Sequence, residues 1–241
     1  MSTSTPPAAH EAPRFLDDAR GDLRGARPWH RLWYVIRALP AALERLARGL
    51  EVGPGDRVLD YGCADTPYRR FFPADAEYVG ADLPGNPRAR VHIAPDGTLP
   101  VQDESFDAVI STQVLEHAED PARHLAECRR VLRPGGRLLL STHGIMVWHP
   151  DPVDHWRWTC SGLRKVVEDA GLRVVQLEGI VGLAATGLQL LQDAIYWRAP
   201  APLRPPLALV FQPLIALADR LEPRASKDMN AMVLAVVARR P

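Results

Sequence analysis

Asp60 closes the apolar run Val58-Leu59-Asp60-Tyr61 and is followed by Gly62, so a ligand can lie against bare backbone at the end of a strand. Asp82 stands twenty-two residues later, at the end of Tyr78-Val79-Gly80-Ala81. A carboxylate there can accept hydrogen bonds from both ribose hydroxyls, which makes this a nucleotide-type site that fits an adenosine. A dinucleotide fits poorly, because Gly62-Cys63-Ala64-Asp65-Thr66-Pro67 is not the G-x-G-x-x-G that cradles a pyrophosphate. A cofactor with adenosine and no phosphate needs no such cradle.

A second concentration of chemistry runs from His143 to Thr159. Its histidines exchange protons, its tryptophans stack on rings, and Arg157 offers a two-point contact to a carboxylate or phosphate. His149, Asp151, Asp154 and His155 bring imidazole and carboxylate together, but their spacing is not diagnostic of a metal site, and no metal is expected.

Elements must hold these groups in place. Short strands are expected at Arg57–Tyr61, Glu77–Ala81, Val91–Ile93, Phe106–Ser111, Arg137–Thr142, Arg173–Leu177 and Ala231–Ala238, separated by helical or turn-rich stretches. That alternation describes a parallel sheet covered on both faces. The best-marked helix runs from Pro121 to Leu132, capped by Asp120 and stopped by Arg133-Pro134-Gly135-Gly136. Another spans about Ser161 to Ala170, with Thr159 or Ser161 as cap and Gly171 as stop. Residues 27–50 read as one or two amphipathic helices interrupted near Pro40, forming a lid or packing arm. Residues 179–227 form an apolar helical insert, and residues 1–26 a disordered tail.

Composition narrows the class. The chain's 241 residues suit one catalytic domain, here 27–241, and 29 basic against 29 acidic side chains leave no basic tract for nucleic acid. Cys63, Cys128 and Cys160 are odd in number and far apart, which points to free thiols and a cytoplasmic setting. Within the insert, 179–192 and 205–218 are uncharged runs of fourteen residues, short of a bilayer span. They suit core or lid packing, a homodimer face or peripheral contact with the inner membrane face.

The linked segments Val58–Asp65, Leu99–Asp107, Val114–His117 and Leu132–Leu138 resemble, in this order, the motifs of class I S-adenosylmethionine-dependent methyltransferases, especially those acting on small molecules, lipids and sugars. The resemblance covers Val52 to Leu177. It implies a doubly wound α/β fold, a mostly parallel seven-stranded sheet with an antiparallel last strand and a helical insert before it. By that resemblance Asp60 and Gly62 hold the methionine end of the cofactor, Asp82 the ribose, Asp96 the adenine amino group, and Gln113 the region near the sulfonium. Glu116 and His117 then sit beside the methyl group. The family usually has glycine where this chain has Ala64, and another near Thr66. Asp154–Thr159 resembles a segment of methyltransferases found beside cell-surface polysaccharide enzymes. With an activated methyl group, catalysis needs alignment and, for a hydroxyl acceptor, removal of one proton, for which His143 and His155 are the candidate bases. Trp156, Arg157 and Trp158 are the candidate acceptor contacts, for a small or lipid-linked molecule in polysaccharide or natural-product biosynthesis. Two other readings stay open: a catalytically degenerate scaffold, and a nicotinamide oxidoreductase weakened by the missing phosphate loop.

Overall fold

The computed structural model describes residues 27–149 and 153–241; the tail expected at 1–26, and Asp151, lie outside the described residues. Seven strands make one sheet: β1 (Arg57–Tyr61), β2 (Glu77–Asp82), β3 (Val91–His92), β4 (Phe106–Thr112), β5 (Leu132–His143), β6 (Arg173–Gly182) and β7 (Ala231–Arg239). Their spatial order is β3-β2-β1-β4-β5-β7-β6. Pairing is parallel from β3 through β5, and β7 runs antiparallel to both β5 and β6. The order reverses between β1 and β4, which opens a crevice at the carboxyl ends of those strands.

Alternating side chains build a core on each face of the sheet. Leu59, Val109, Leu138 and Leu140 pack on one side against α2 (Pro121–Val131) and α3 (Cys160–Asp169). Val58, Ala108, Ile110 and Leu139 pack on the other, against α1 (Trp33–Ala47) and Ile215 of a later helix. The expected caps of α2 and α3 are in place: Asp120 accepts from Arg123 N at 3.1 Å, and Thr159 Oγ1 from Gly162 N at 3.0 Å. Gly171, at φ +79°, follows the end of α3 in the left-handed conformation that stops a helix.

Two expectations change. The arm is one continuous helix through Pro40, not an interrupted pair. Proline removes one backbone donor, but Val35 before it and Leu43 and Leu46 after it are all buried on one side, and that burial offsets the lost bond. β6 runs five residues further than expected, because Gly179, Ile180 and Gly182 pair with Leu234, Val233 and Ala231 and so continue the ladder. The insert therefore begins at Leu183, and its helices are α4 (Leu183–Tyr196), α5 (Arg204–Leu221) and α6 (Arg224–Met229). The connection from β1 to β2, residues 62–76, contains a single 3-10 turn and no α-helix.

A close approach fixes Gly179. A Cβ placed there would stand 1.8 Å from the Lys227 carbonyl oxygen at α6. Gly179→Ala is expected to destabilise the protein by roughly 3 kcal/mol through overpacking of backbone that has little room to retreat, as read by chemical denaturation.

Candidate active site

A cleft of about 2640 Å³ opens at the carboxyl ends of β1, β2, β4 and β5, and is walled on its far side by α1 and α4. Its floor is the loop after β1. Gly62, Ala64 and Thr66 all take left-handed backbone, at φ +89°, +44° and +59°, and the curled loop lines the crevice end while the N–H groups of Gly62 and Cys63 bind Ala81 O and that of Thr66 binds Cys63 O. At Gly62 a Cβ would meet Val114 Cγ2 at 2.4 Å, so only glycine fits. Ala64 and Thr66 adopt a conformation natural to glycine, and for the β-branched threonine it is strained.

Asp82 anchors this loop. Its Oδ2 accepts from Ala64 N at 2.8 Å and Asn86 Nδ2 at 2.7 Å, and its Oδ1 from Leu83 N at 2.7 Å. A carboxylate offers about four acceptor positions, so Oδ1 retains capacity towards the cleft that it lines. Gln113, itself at φ +57°, is pinned to β5 by its backbone N–H to Ser141 O at 2.8 Å and its side chain to Ser141 Oγ at 3.0 Å. Asp96 lines the cleft from an exposed turn, where Thr98 N and Oγ1 bind its Oδ1 and Arg123 stands 3.5 Å from its Oδ2. The Thr98 hydroxyl, helped by Arg123, holds that carboxyl below the usual range.

Gly62, Asp82, Asp96, Gln113, His117 and His143 thus line the cleft, while Asp60, Glu116, His155, Trp156, Arg157 and Trp158 do not. Asp60 is fully buried beneath the loop. It accepts from the Tyr78 hydroxyl, and burial, with Asp82 adding repulsion, pushes it up to about 7 against that hydrogen bond. Glu116 is equally buried, accepts from Thr142 Oγ1 at 2.9 Å, and is pushed up to about 7 chiefly by burial. His143 Nε2 stands 3.2 Å from Glu116 Oε1, off hydrogen-bond geometry, since that oxygen has no hydrogen-bond partner. Burial, then the charge of Arg157, lowers the imidazole to about 3, so a neutral ring faces a carboxyl that titrates near neutrality.

The segment from His143 to Thr159 divides in two. Met146, Val147, Trp148 and His149 line the cleft. The rings of His117, His143 and His149 form a triangle with centroids 5.7 to 6.4 Å apart. Beyond the turn the side chains brace the loop instead. Arg157 spends all five donors within the protein: two on Asp154, one each on the carbonyls of Met146, Val147 and Trp156. It therefore has none left for an anionic acceptor. Burial opposes the charge on Asp154, yet Arg157 and the His149 N–H hold that carboxyl below its usual range. Trp156 donates to Ala118 O at 2.8 Å, and Trp158 packs on the core beside α3. His155 is exposed, and its backbone N–H binds Glu116 O at 2.9 Å. Among the described residues no group of three His, Cys, Asp or Glu side chains could hold a metal ion.

Residues 27–50 and the insert, expected as lid or packing elements, supply the far wall, through residues the sequence did not single out for the site. Ile36 of α1 with Leu32 just before it, and Leu190 and Ala194 of α4 with Trp197 just after it, line the cleft from positions more than a hundred residues apart. Their helical periodicity signalled burial of a face, but not which face meets the site.

A strand-end carboxylate and a glycine-type loop at the switch point of a β3-β2-β1-β4-β5-β7-β6 sheet define a doubly wound α/β protein with a nucleotide-type cleft. A methyltransferase-domain family model matches residues 59–140. A ubiquinone biosynthesis O-methyltransferase of Dinoroseobacter shibae is 32% identical over 194 residues, 64% of this chain and 77% of the relative. One from Cereibacter sphaeroides is 30% identical over 185 residues, 63% of this chain and 74% of that protein. Among solved structures, an S-adenosylmethionine-dependent methyltransferase from Mesorhizobium loti shares the fold at a TM-score of 0.51 and 19% identity, covering 90% of this chain and 100% of its own. The cyclase SpnF shares it at 0.55 and 20%, covering 85% and 82%. The chain belongs to the class I S-adenosylmethionine-dependent methyltransferases, and S-adenosylmethionine is its methyl donor.

Thr66→Gly should relieve the left-handed strain and stabilise the protein by about 1 kcal/mol, measured by chemical denaturation. A second outcome concerns pH. Unfolded, Glu116 loses its proton near its ordinary 4.5; folded, it keeps it to about 7. Across that window the native state carries the extra proton, so this group's contribution to stability falls as pH rises. Glu116→Gln removes the titration. Its stability relative to the unaltered protein should rise on the order of 2–3 kcal/mol between pH 5 and pH 8, by denaturation at each pH.

Proposed function

We propose that this methyltransferase methylates a hydroxyl on a small acceptor with an apolar portion, a phenolic or lipid-linked molecule, with His117 as the general base. The setting we favour is the cytoplasm, where such an acceptor serves polysaccharide or natural-product assembly; the three free thiols support that compartment. The observation that carries the reading is His117: it lines the cleft, and its Nδ1 is hydrogen-bonded to the Val153 carbonyl. A carbonyl only accepts, so Nδ1 carries the proton and Nε2 of the neutral ring keeps its lone pair. His143, held neutral and packed against Glu116, serves as a wall of the site. His155 is too exposed and too far from the lining to share the role.

The loop fits the cofactor. Its left-handed turns bring backbone to the crevice, and Asp82 has acceptor capacity left for the ribose hydroxyls. Gln113 and Asp96 flank the same space, and Asp60, buried near the end of β1, accepts from the Tyr78 hydroxyl of β2. When bound, S-adenosylmethionine supplies a methyl group already activated by the sulfonium charge. What the protein adds is alignment, exclusion of water, and removal of the acceptor's proton to His117 Nε2. Met146, Val147, Trp148, Leu190 and Trp197 give the acceptor side an apolar wall, and relatives named for ubiquinone biosynthesis support a hydrophobic acceptor.

Methyl transfer from labelled S-adenosylmethionine to an alkylated catechol, with a free sugar as control, tests this reading. His117→Asn should lower kcat about 100-fold or more. Its affinity for S-adenosylhomocysteine by calorimetry should stay unchanged, while Asp82→Ala should lose it. Full kcat in the His117 variant moves the base elsewhere, transfer to the sugar alone overturns the acceptor class, and no cofactor binding by the unaltered protein favours the degenerate scaffold.

A further inference from the structure

The α4–α5 hairpin is built inside out. On α5 every exposed residue from 205 to 217 is apolar, with Val210 61% and Leu217 53% exposed, while the buried side carries Gln212 and Asp219. On α4 the exposed positions include Leu183, Leu191 and Ile195, while Gln189, Gln192 and Asp193 are buried. A helix pair packed against a water-soluble core ordinarily has the opposite arrangement.

The buried polar groups are satisfied, so the inversion is a stable arrangement. Nε2 of Gln189, Gln192 and Gln212 all donate to the Arg31 carbonyl, at 3.1, 2.7 and 2.6 Å. Gln212 Oε1 accepts from Tyr34 N at 2.7 Å, Arg31 pairs with Asp193 at 3.1 Å, and Lys227 pairs with Asp219 at 3.0 Å. This network clamps the hairpin to α1 by its polar side and leaves the apolar side outward.

Charge on the hairpin is one-sided. Its only acids between 183 and 221 are Asp193 and Asp219, both buried and paired. Arg198, Arg204 and Arg220 form no ion pair with any described residue. Arg204 lies over the Tyr196 and Trp197 rings at the hairpin's tip, at 5.5 and 5.9 Å from their centroids. Apolar surface bounded by aromatic rings and by guanidinium groups that meet no carboxylate among the described residues matches the chemistry of a bilayer interface.

We propose that this outer face seats the protein on an anionic lipid bilayer. A second copy meeting the same face by twofold symmetry would bring the same arginines, none of them ion-paired among the described residues, to the rim, whereas anionic headgroups neutralise them. The segment Ala201–Leu221 is long and apolar enough to cross a membrane by length and composition. Its inner face is held by Gln212 and Asp219, so it lies along the surface with Leu209, Val210, Leu214 and Leu217 in the acyl region. Because α4 also lines the cleft through Leu190 and Ala194, with Trp197 just after it, docking places the cleft mouth beside the lipid. The inference does not rest on the acceptor reading, and its test reads vesicles rather than turnover.

The full chain is floated with vesicles of phosphatidylcholine alone and of phosphatidylcholine mixed with phosphatidylglycerol, beside a Val210→Glu/Leu217→Glu variant whose thermal melt shows it folded. The unaltered protein should float with the mixed vesicles, and the variant's bound fraction should fall about tenfold or more. Arg220→Glu should weaken flotation at low salt and matter less at high salt. Absence of flotation, or equal flotation of the folded double variant, overturns the proposal. A stable dimer in ultracentrifugation that the same variant dissolves, without vesicle binding, assigns the face to a second copy instead.

Discussion

The Asp82 carboxylate ties the end of β2 to the loop that leaves β1. By accepting from Ala64 N, Leu83 N and Asn86 Nδ2 it closes the two strand ends into one rim, and the cofactor cleft exists because that rim is held open. Asn86 doubles the tie by donating to Ala64 O at 2.7 Å. With this frame fixed, residues 62–66 can hold left-handed backbone at two non-glycine positions, a cost the surrounding hydrogen bonds absorb. Below the rim, Asp60 and Tyr78 fill the space with a buried polar contact rather than a ligand contact.

The acceptor side rests on a second frame. Arg157 and Asp154 form a two-point pair, and the remaining guanidinium donors gather the carbonyls of Met146, Val147 and Trp156. That brace holds residues 146–149 at the cleft wall, where His149 joins His117 and His143. Groups that look like ligand contacts by residue type, Arg157 and Trp156 among them, therefore act as scaffolding.

Much of the fold was legible because its signals are local. Asp120 and Pro121 mark the start of α2, although its end falls at Val131 and the glycines expected to stop it lie inside β5; Thr159 and Gly171 delimit α3; alternating apolar residues mark the strands. The places of Gly62 and Asp82 at the cleft were legible for the same reason, since both sit at strand ends that the sequence shows directly, whereas Asp60 and Glu116 were expected beside the cofactor and lie buried outside the lining. The roles of Arg157, Trp158 and His155 were not, because each is decided by partners that only the tertiary structure supplies. The three glutamines on Arg31 O were the least visible feature: in an apolar run a glutamine reads as surface, and nothing in the local pattern tells that it faces inward.

The place of β7 also shapes how the chain must assemble. It lies between β5 and β6, so β6 has no strand to pair with until β7, the last of the seven in sequence, has been made. During synthesis the long β5, with Leu138, Leu139 and Leu140, stays an unpaired edge while nearly a hundred further residues emerge. Sheet closure is thus a late, non-local event, and the nascent protein is open to strand-to-strand aggregation until it happens.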